Sequence, residues 1–149
     1  MTPNEKKTLL RAEKILMKLA ERKSPEYISS PESAEKILQY RLTGLEHEEF
    51  HVVFLTTRHG VIAVESMFRG TIDGASVHPR EVAKRALELN AAAVIFAHNH
   101  PSGDPEPSQA DIAITKRLQE ALGLIDVRVL DHIIVGAGNT KSMAACGLM

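Results

Sequence analysis

The chain has one cysteine, Cys146, in 149 residues. That excludes an intramolecular disulfide and any Cys-x-x-Cys metal pair, and leaves Cys146 as a small, half-buried residue near the C-terminus. No apolar run is long enough to cross a bilayer, and Met1-Thr2-Pro3-Asn4-Glu5-Lys6-Lys7 lacks the apolar core of a signal peptide, so the expected location is the cytoplasm and no membrane partner is expected. No charge of one sign dominates: 18 Lys and Arg stand against 19 Asp and Glu, a formal net charge of −1. Such a balance gives no electrostatic footprint for nucleic acid, and Lys6-Lys7 and Arg22-Lys23 read as solvated helix faces. Internal repeats and low-complexity tracts are absent. So is His-x-Glu followed by Pro-Cys-x-x-Cys, which nucleobase deamination would need. What remains is a chain of single-domain size, long enough to bury a proper core.

Apolar spacing divides the chain into elements. Leu9, Ala12, Ile15, Leu16 and Leu19 recur at helical intervals, so residues 1–23 carry an amphipathic helix that packs on the body or pairs with another copy in a homo-oligomer. Residues 24–31 read as a linker whose Ser30 caps a second helix with Pro31 at its first position, and 32–149 form the main domain. Strands are expected over 50–57 and 61–68, joined by a turn at Arg58-His59-Gly60. A helix over 79–90 presents Val82, Ala83, Ala86, Leu87 and Leu89 to a sheet. The apolar run Ala91–Ala97 leads as a strand into His98. A helix over 108–122 follows, then strands over 125–130, 132–136 and 140–144, with the Gly-rich turn Gly136–Asn139 between the last two. No helix follows that turn, so it is not a phosphate cradle. Mixed strands alternating with helices predict an α/β sandwich.

The chemistry concentrates in His98-Asn99-His100-Pro101-Ser102-Gly103-Asp104-Pro105-Glu106-Pro107-Ser108-Gln109-Ala110-Asp111. Strand side chains alternate, so His98 and His100 project to one side and can grip one ion. Three prolines and a glycine force a turn before Ser108 opens a helix, with Asp111 in its first turn. Ser108 and Asp111 also fit a helix-capping pair, and the two readings coexist, since a carboxylate leaning out of a first turn can bind metal while the serine caps. Two neutral imidazoles and a carboxylate leave a fourth tetrahedral position for water, the pattern of a catalytic zinc site.

His98-x-His100, seven residues, Ser108, two residues and Asp111 resembles the H-x-H-x7-S-x2-D signature of the JAMM (MPN-type) zinc metallopeptidases. Phe68–Asp73, Val77–Val82, Asn90–Ile95 and Val129–Ile133 resemble one bacterial branch, the RadC-like proteins, so that the resemblance runs over roughly residues 30–149. It implies a three-layer α-β-α sandwich with a mixed sheet, the MPN/JAB, cytidine-deaminase-like fold. It also implies Zn2+ held by His98, His100 and Asp111, and cleavage of a peptide or isopeptide bond in a protein substrate by metal-activated water. Its general base is a glutamate just before the first strand, a pattern favouring Glu48 over Glu49. Adjacent residues of extended chain point opposite ways, so only one of the two can face the site. By the same resemblance Ser108 donates to the developing oxyanion.

A competing motif lies in the same stretch. His47-Glu48-Glu49-Phe50-His51 matches H-E-x-x-H, which binds zinc only when a helix brings both histidines to one face. Gly44 ends the preceding helix and Val52–Thr57 reads as strand, where positions four apart stand roughly 13 Å from each other, so the zincin reading is rejected. His78 is expected to help cap the helix after it, His59 to sit in a turn and His132 in an apolar strand, none as a ligand, with Asp104 and Glu106 as exposed loop acids. A second class of function is a non-catalytic, metal-stabilised module in DNA repair or recombination, which the historical naming of RadC proteins suggests. The chain's charge gives it no support, and fold alone fixes no function.

Overall fold

The computed structural model describes residues 1–22, 31–70 and 77–149. The linker, including Ser30, lies outside the described residues apart from Pro31, which opens the second helix as expected. Among the described residues nine elements follow in order: α1 (Pro3–Arg22), α2 (Pro31–Leu42), β1 (Glu49–Leu55), β2 (Val61–Arg69), α3 (Pro79–Glu88), β3 (Ala93–Asn99), α4 (Gln109–Gly123), β4 (Arg128–Val135) and β5 (Thr140–Ser142). The strands form one mixed sheet in the order β2-β1-β3-β4-β5, in which only β3 and β4 run parallel, joined by the α4 crossover. This is the α/β architecture that the alternation of elements predicts.

Strand parity splits the core into two layers. Phe50, Val52 and Phe54 of β1, with Val94 and Phe96 of β3, face Val82 and Ala86 of α3 and Ile114, Leu118 and Leu122 of α4. The alternate residues Val53, Leu55, Ala93, Ile95 and Ala97, with Ile133 and Val135 of β4, face Ala34, Leu38 and Leu42 of α2. Those three α2 residues recur every four positions, so one stripe of the helix covers the sheet. Because both faces of β1 and β3 are covered, these strands are apolar nearly throughout rather than alternating. Gly44, at φ +80, terminates the α2 segment in the left-handed region that glycine enters without steric cost.

α1 is helical over the expected span, with Thr2 and Glu5 exchanging capping hydrogen bonds at its start. Ion pairs Lys6–Glu46 and Glu13–Arg41 tie it to the body, while Leu10, Ile15, Leu16 and Met17 are exposed.

Several details differ from the sequence reading. The strands expected over 125–130 and 132–136 are one strand, β4, because Asp131 does not interrupt it. A bulge opposite the Val94/Ile95 step takes up the irregularity, and the Asp131 carboxylate accepts from the His132 and Ala144 amides and the Ser142 hydroxyl. The expected 140–144 strand is only β5, three residues long. Leu87 lies on the solvent side of α3, 61% exposed, since Val82 and Ala86 already define its buried stripe. His78 occupies the cap position of α3, but its side chain does no capping and packs edge-on against Phe68. Cys146 is exposed rather than half-buried.

Candidate metal centre

β3 ends at the edge of the α4 layer, and there parity puts His98 on that side, immediately above Phe50, on which its ring stacks. His100 follows two residues on. Its amide still bonds to Val135 of β4, which holds the chain in line past the end of the strand. The loop then turns through Gly103 and returns as α4, whose first turn is closed by a capping box. Asp111 N–H donates to Ser108 Oγ at 3.1 Å, and Ser108 N–H donates to Asp111 Oδ2 at 2.8 Å. The capping reading of this pair holds, and the box aims the buried Asp111 carboxylate at the histidines.

The three side chains converge. His98 Nε2 lies 3.0 Å from Asp111 Oδ1, His100 Nε2 lies 3.1 Å from Asp111 Oδ2, and the two Nε2 atoms are 2.9 Å apart. Among the described residues this is the one group of three or more His, Cys, Asp or Glu whose donor atoms come close enough to share an ion. The ligands of a tetrahedral zinc are separated by roughly 3.3 Å, given bond lengths near 2.0–2.1 Å, so these donors fit such an ion with little adjustment. The electrostatics agree. Burial raises the Asp111 carboxyl, but the His100 and His98 rings beside it hold it well below the usual carboxylate range, and Asp111 in turn pushes His100 up. The cluster attracts positive charge.

Side chains behind these three hold them. His100 Nδ1 lies 2.8 Å from the main-chain oxygen of Asp104. Asp104 and Glu106 are exposed, as expected, and Glu106 pairs with Lys141. His98 Nδ1 lies 2.8 Å from Nε2 of His132, a fully buried ring that burial pushes well below the usual imidazole range. His132 in turn contacts Thr115. The sequence reading found no role for His132. The available signal was a polar residue in an otherwise buried strand, which must find a partner there.

Glu48 and Glu49 diverge as alternation requires. Glu48 lines an open cavity of about 650 Å3 together with His100, Ser102, Ser108 and Asp111. Glu49 points to the α2 face, where Ser66, His47 and His51 hydrogen-bond its carboxylate and lower its pKa to about 2 against the effect of burial. The H-E-x-x-H histidines thus flank Glu49, each on a different carboxylate oxygen, with Arg41 on the far side of His51 and Arg69 on His47. Two guanidinium groups at the ends of this chain repel a metal cation. The segment carrying Glu48 is fixed from both sides. Asn99, the last residue of β3, accepts from Glu49 N–H at 2.8 Å and donates to the His47 carbonyl at 2.9 Å, while Gly70 N–H donates to the Glu48 carbonyl. Asn99 was also missed, although parity places it opposite its two histidine neighbours.

A family model described as RadC-like JAB domain matches residues 28–148. A UPF0758 protein of Nitrosococcus oceani is 59% identical over 127 residues, covering 85% of this chain and 57% of that protein. A UPF0758 protein of Marinobacter nauticus is 59% identical over 122 residues, 82% of this chain and 54% of that protein. One from Vibrio cholerae is 57% identical over 116 residues, 78% of this chain and 73% of that protein. The chain spans little more than half the length of the first two relatives. No helix among the described residues is long and apolar enough to cross a membrane. The chain belongs to the RadC-like JAB domain family.

Proposed function

We propose that this domain is a zinc-dependent hydrolase that cleaves a peptide or isopeptide bond in a protein or peptide substrate. The observation carrying the reading is the convergence of His98, His100 and Asp111, the last two of which line a cavity that also holds Glu48 and Ser108. His98, His100 and Asp111 would hold the ion, and two nitrogens with one oxygen suit zinc while leaving a vertex open. Zinc, when bound, supplies Lewis acidity that brings the pKa of water at that vertex to roughly 7.

The remaining steps belong to the chain's own residues. Glu48, its backbone pinned by Asn99 and Gly70, takes the proton of the attacking water and returns it to the leaving amine. Ser108 Oγ accepts from the Asp111 amide, so its hydroxyl proton remains available to the oxygen of the scissile carbonyl. Phe50 and Phe96 wall the buried side of the site and keep water from His98 and His132.

The test couples metal analysis to a peptidase and isopeptidase screen. Wild type should carry zinc and cleave, whereas Glu48→Ala should keep zinc and lose at least about 100-fold in turnover. Full activity in Glu48→Ala would remove the base assignment. Zinc retained by His100→Ala but lost by His51→Ala would place the centre at the wrong histidines.

A further inference from the structure

We infer that Thr115 and His132 form a one-way hydrogen-bond relay that fixes the proton of His98 on Nδ1, keeping its Nε2 bare as a cation donor. The inference rests on the metal reading of His98, His100 and Asp111 and adds two positioning residues to it.

The direction is set by an atom with no choice. The main-chain oxygen of Asp111 can only accept, and Thr115 Oγ1 lies 2.6 Å from it one turn along α4, so the hydroxyl proton goes there. Met143 Sδ, at 3.8 Å, is the weaker acceptor and loses that competition. With its proton committed, Thr115 Oγ1 can only accept at 2.6 Å from His132 Nδ1, which must therefore carry a hydrogen. His132 is fully buried and its two ring partners are a hydroxyl and an imidazole, not a carboxylate, so the neutral ring is the form this environment favours. A neutral ring protonated at Nδ1 has a bare Nε2. That nitrogen must accept from His98 Nδ1 at 2.8 Å, and His98 Nε2 is left with a lone pair directed at Asp111 and His100.

The relay closes on the residue where it starts. Asp111 supplies the carbonyl that orders the chain of donors and the carboxylate that meets His98 at its end. His100 is oriented by a shorter route, its Nδ1 donating to the Asp104 carbonyl in the loop, which turns Nε2 towards Asp111. The two Nε2 atoms, 2.9 Å apart beside a carboxylate, are placed to share a cation. Ligand tautomers set by outer partners are a general device of metal sites, and disturbing such a partner typically weakens metal binding 10- to 100-fold. Here the outer partner is a second imidazole whose own tautomer is dictated by a helix backbone.

The experiment compares wild type with Thr115→Val and Thr115→Ser. Zn2+ affinity is read by competition with a chromogenic chelator, Co2+ by its visible absorption, and histidine tautomers by 15N NMR of the metal-free proteins. The relay requires Nδ1–H on both His132 and His98 in wild type, Zn2+ binding weakened about tenfold or more in the valine variant with an altered Co2+ spectrum, and rescue by serine. A purely packing role gives the reverse order, because valine keeps the shape that serine loses. Equal affinity for valine and wild type, or Nε2–H on His132 in wild type, overturns the relay. If wild type takes up neither metal, the metal reading fails, while the tautomers of the metal-free protein still decide the relay separately.

Discussion

Replacing Asn99 with alanine should be among the costliest single changes outside the apolar core. The side chain is 3% exposed and makes two hydrogen bonds across the end of the β1–β3 ladder, from Glu49 N–H at 2.8 Å and to the His47 carbonyl at 2.9 Å. The β1–β3 register runs from Leu55↔Ala93 to Phe50↔His98 and stops, so the carboxamide stands in for the backbone pair that would come next. Alanine removes both bonds and strands two main-chain groups. With roughly 1 kcal/mol net per bond and 1–3 kcal/mol for each buried group left unsatisfied, partly relieved by entering water, the expected loss is about 2–4 kcal/mol. Urea unfolding should show a lower midpoint at unchanged slope, since the same surface is exposed on unfolding. Turnover should fall more than zinc content, because the altered segment carries Glu48 and none of the three ligands. A loss below about 1 kcal/mol would mean that Asn99 does not hold this segment, and the account of how Glu48 is placed would fail with it.

Gly136→Ala should disturb the ligand loop from behind: an added Cβ would lie 2.4 Å from the Gly103 carbonyl and 2.6 Å from Asn139 Oδ1, so overpacking should cost about 1–3 kcal/mol and weaken zinc uptake, and unchanged affinity in a chelator titration would refute the coupling. Glu49→Gln should flatten part of the acid limb of the stability curve. Glu49 is held at about 2 against 4.5, so on acidification the unfolded chain takes up its proton first; the carboxylate's contribution is complete above about pH 5 and drains away as pH falls towards 2. Urea midpoints of wild type and variant should converge over that window, and parallel curves would show that the Glu49 cluster contributes nothing.

Alternation in an extended chain carried most of what the sequence revealed. It put His98 and His100 on one side, sent Glu48 and Glu49 to opposite faces, and barred the H-E-x-x-H pair from a shared helical face. Local chemistry carried the α4 start, where the serine and aspartate of a capping box are also a candidate oxyanion donor and a ligand. Asp131 was misread because aspartate ordinarily interrupts a strand, whereas here the His132 amide, with the Ser142 hydroxyl and Ala144 amide at the β5 end, satisfies its carboxylate. Leu87 was misassigned because apolar spacing alone does not say which edge of a helical stripe reaches the sheet. His132, Thr115 and Asn99 stayed silent for another reason: their partners are 34, 17 and 50 residues away in sequence, and it takes the parallel β3–β4 pairing, the packing of α4 on β4 and the end of the β1–β3 ladder to bring them together.

The sheet therefore keeps two polar clusters apart while sharing one backbone between them. On the α4 face stand His98, His100, Asp111 and His132; on the α2 face stand Glu49, His51 and Arg41, reaching Glu13 of α1. No side chain of the second cluster has to reach the cavity to affect it, because Glu49 is covalently next to Glu48 and its own amide is held by Asn99. A shift of α1 or α2 that pulled on Arg41 would be transmitted through His51 to Glu49, and the Asn99 carboxamide is the point where that strain would meet Glu48. This is why Asn99, rather than any residue of the α2-face cluster, is the position at which fold stability and the geometry of Glu48 should prove inseparable.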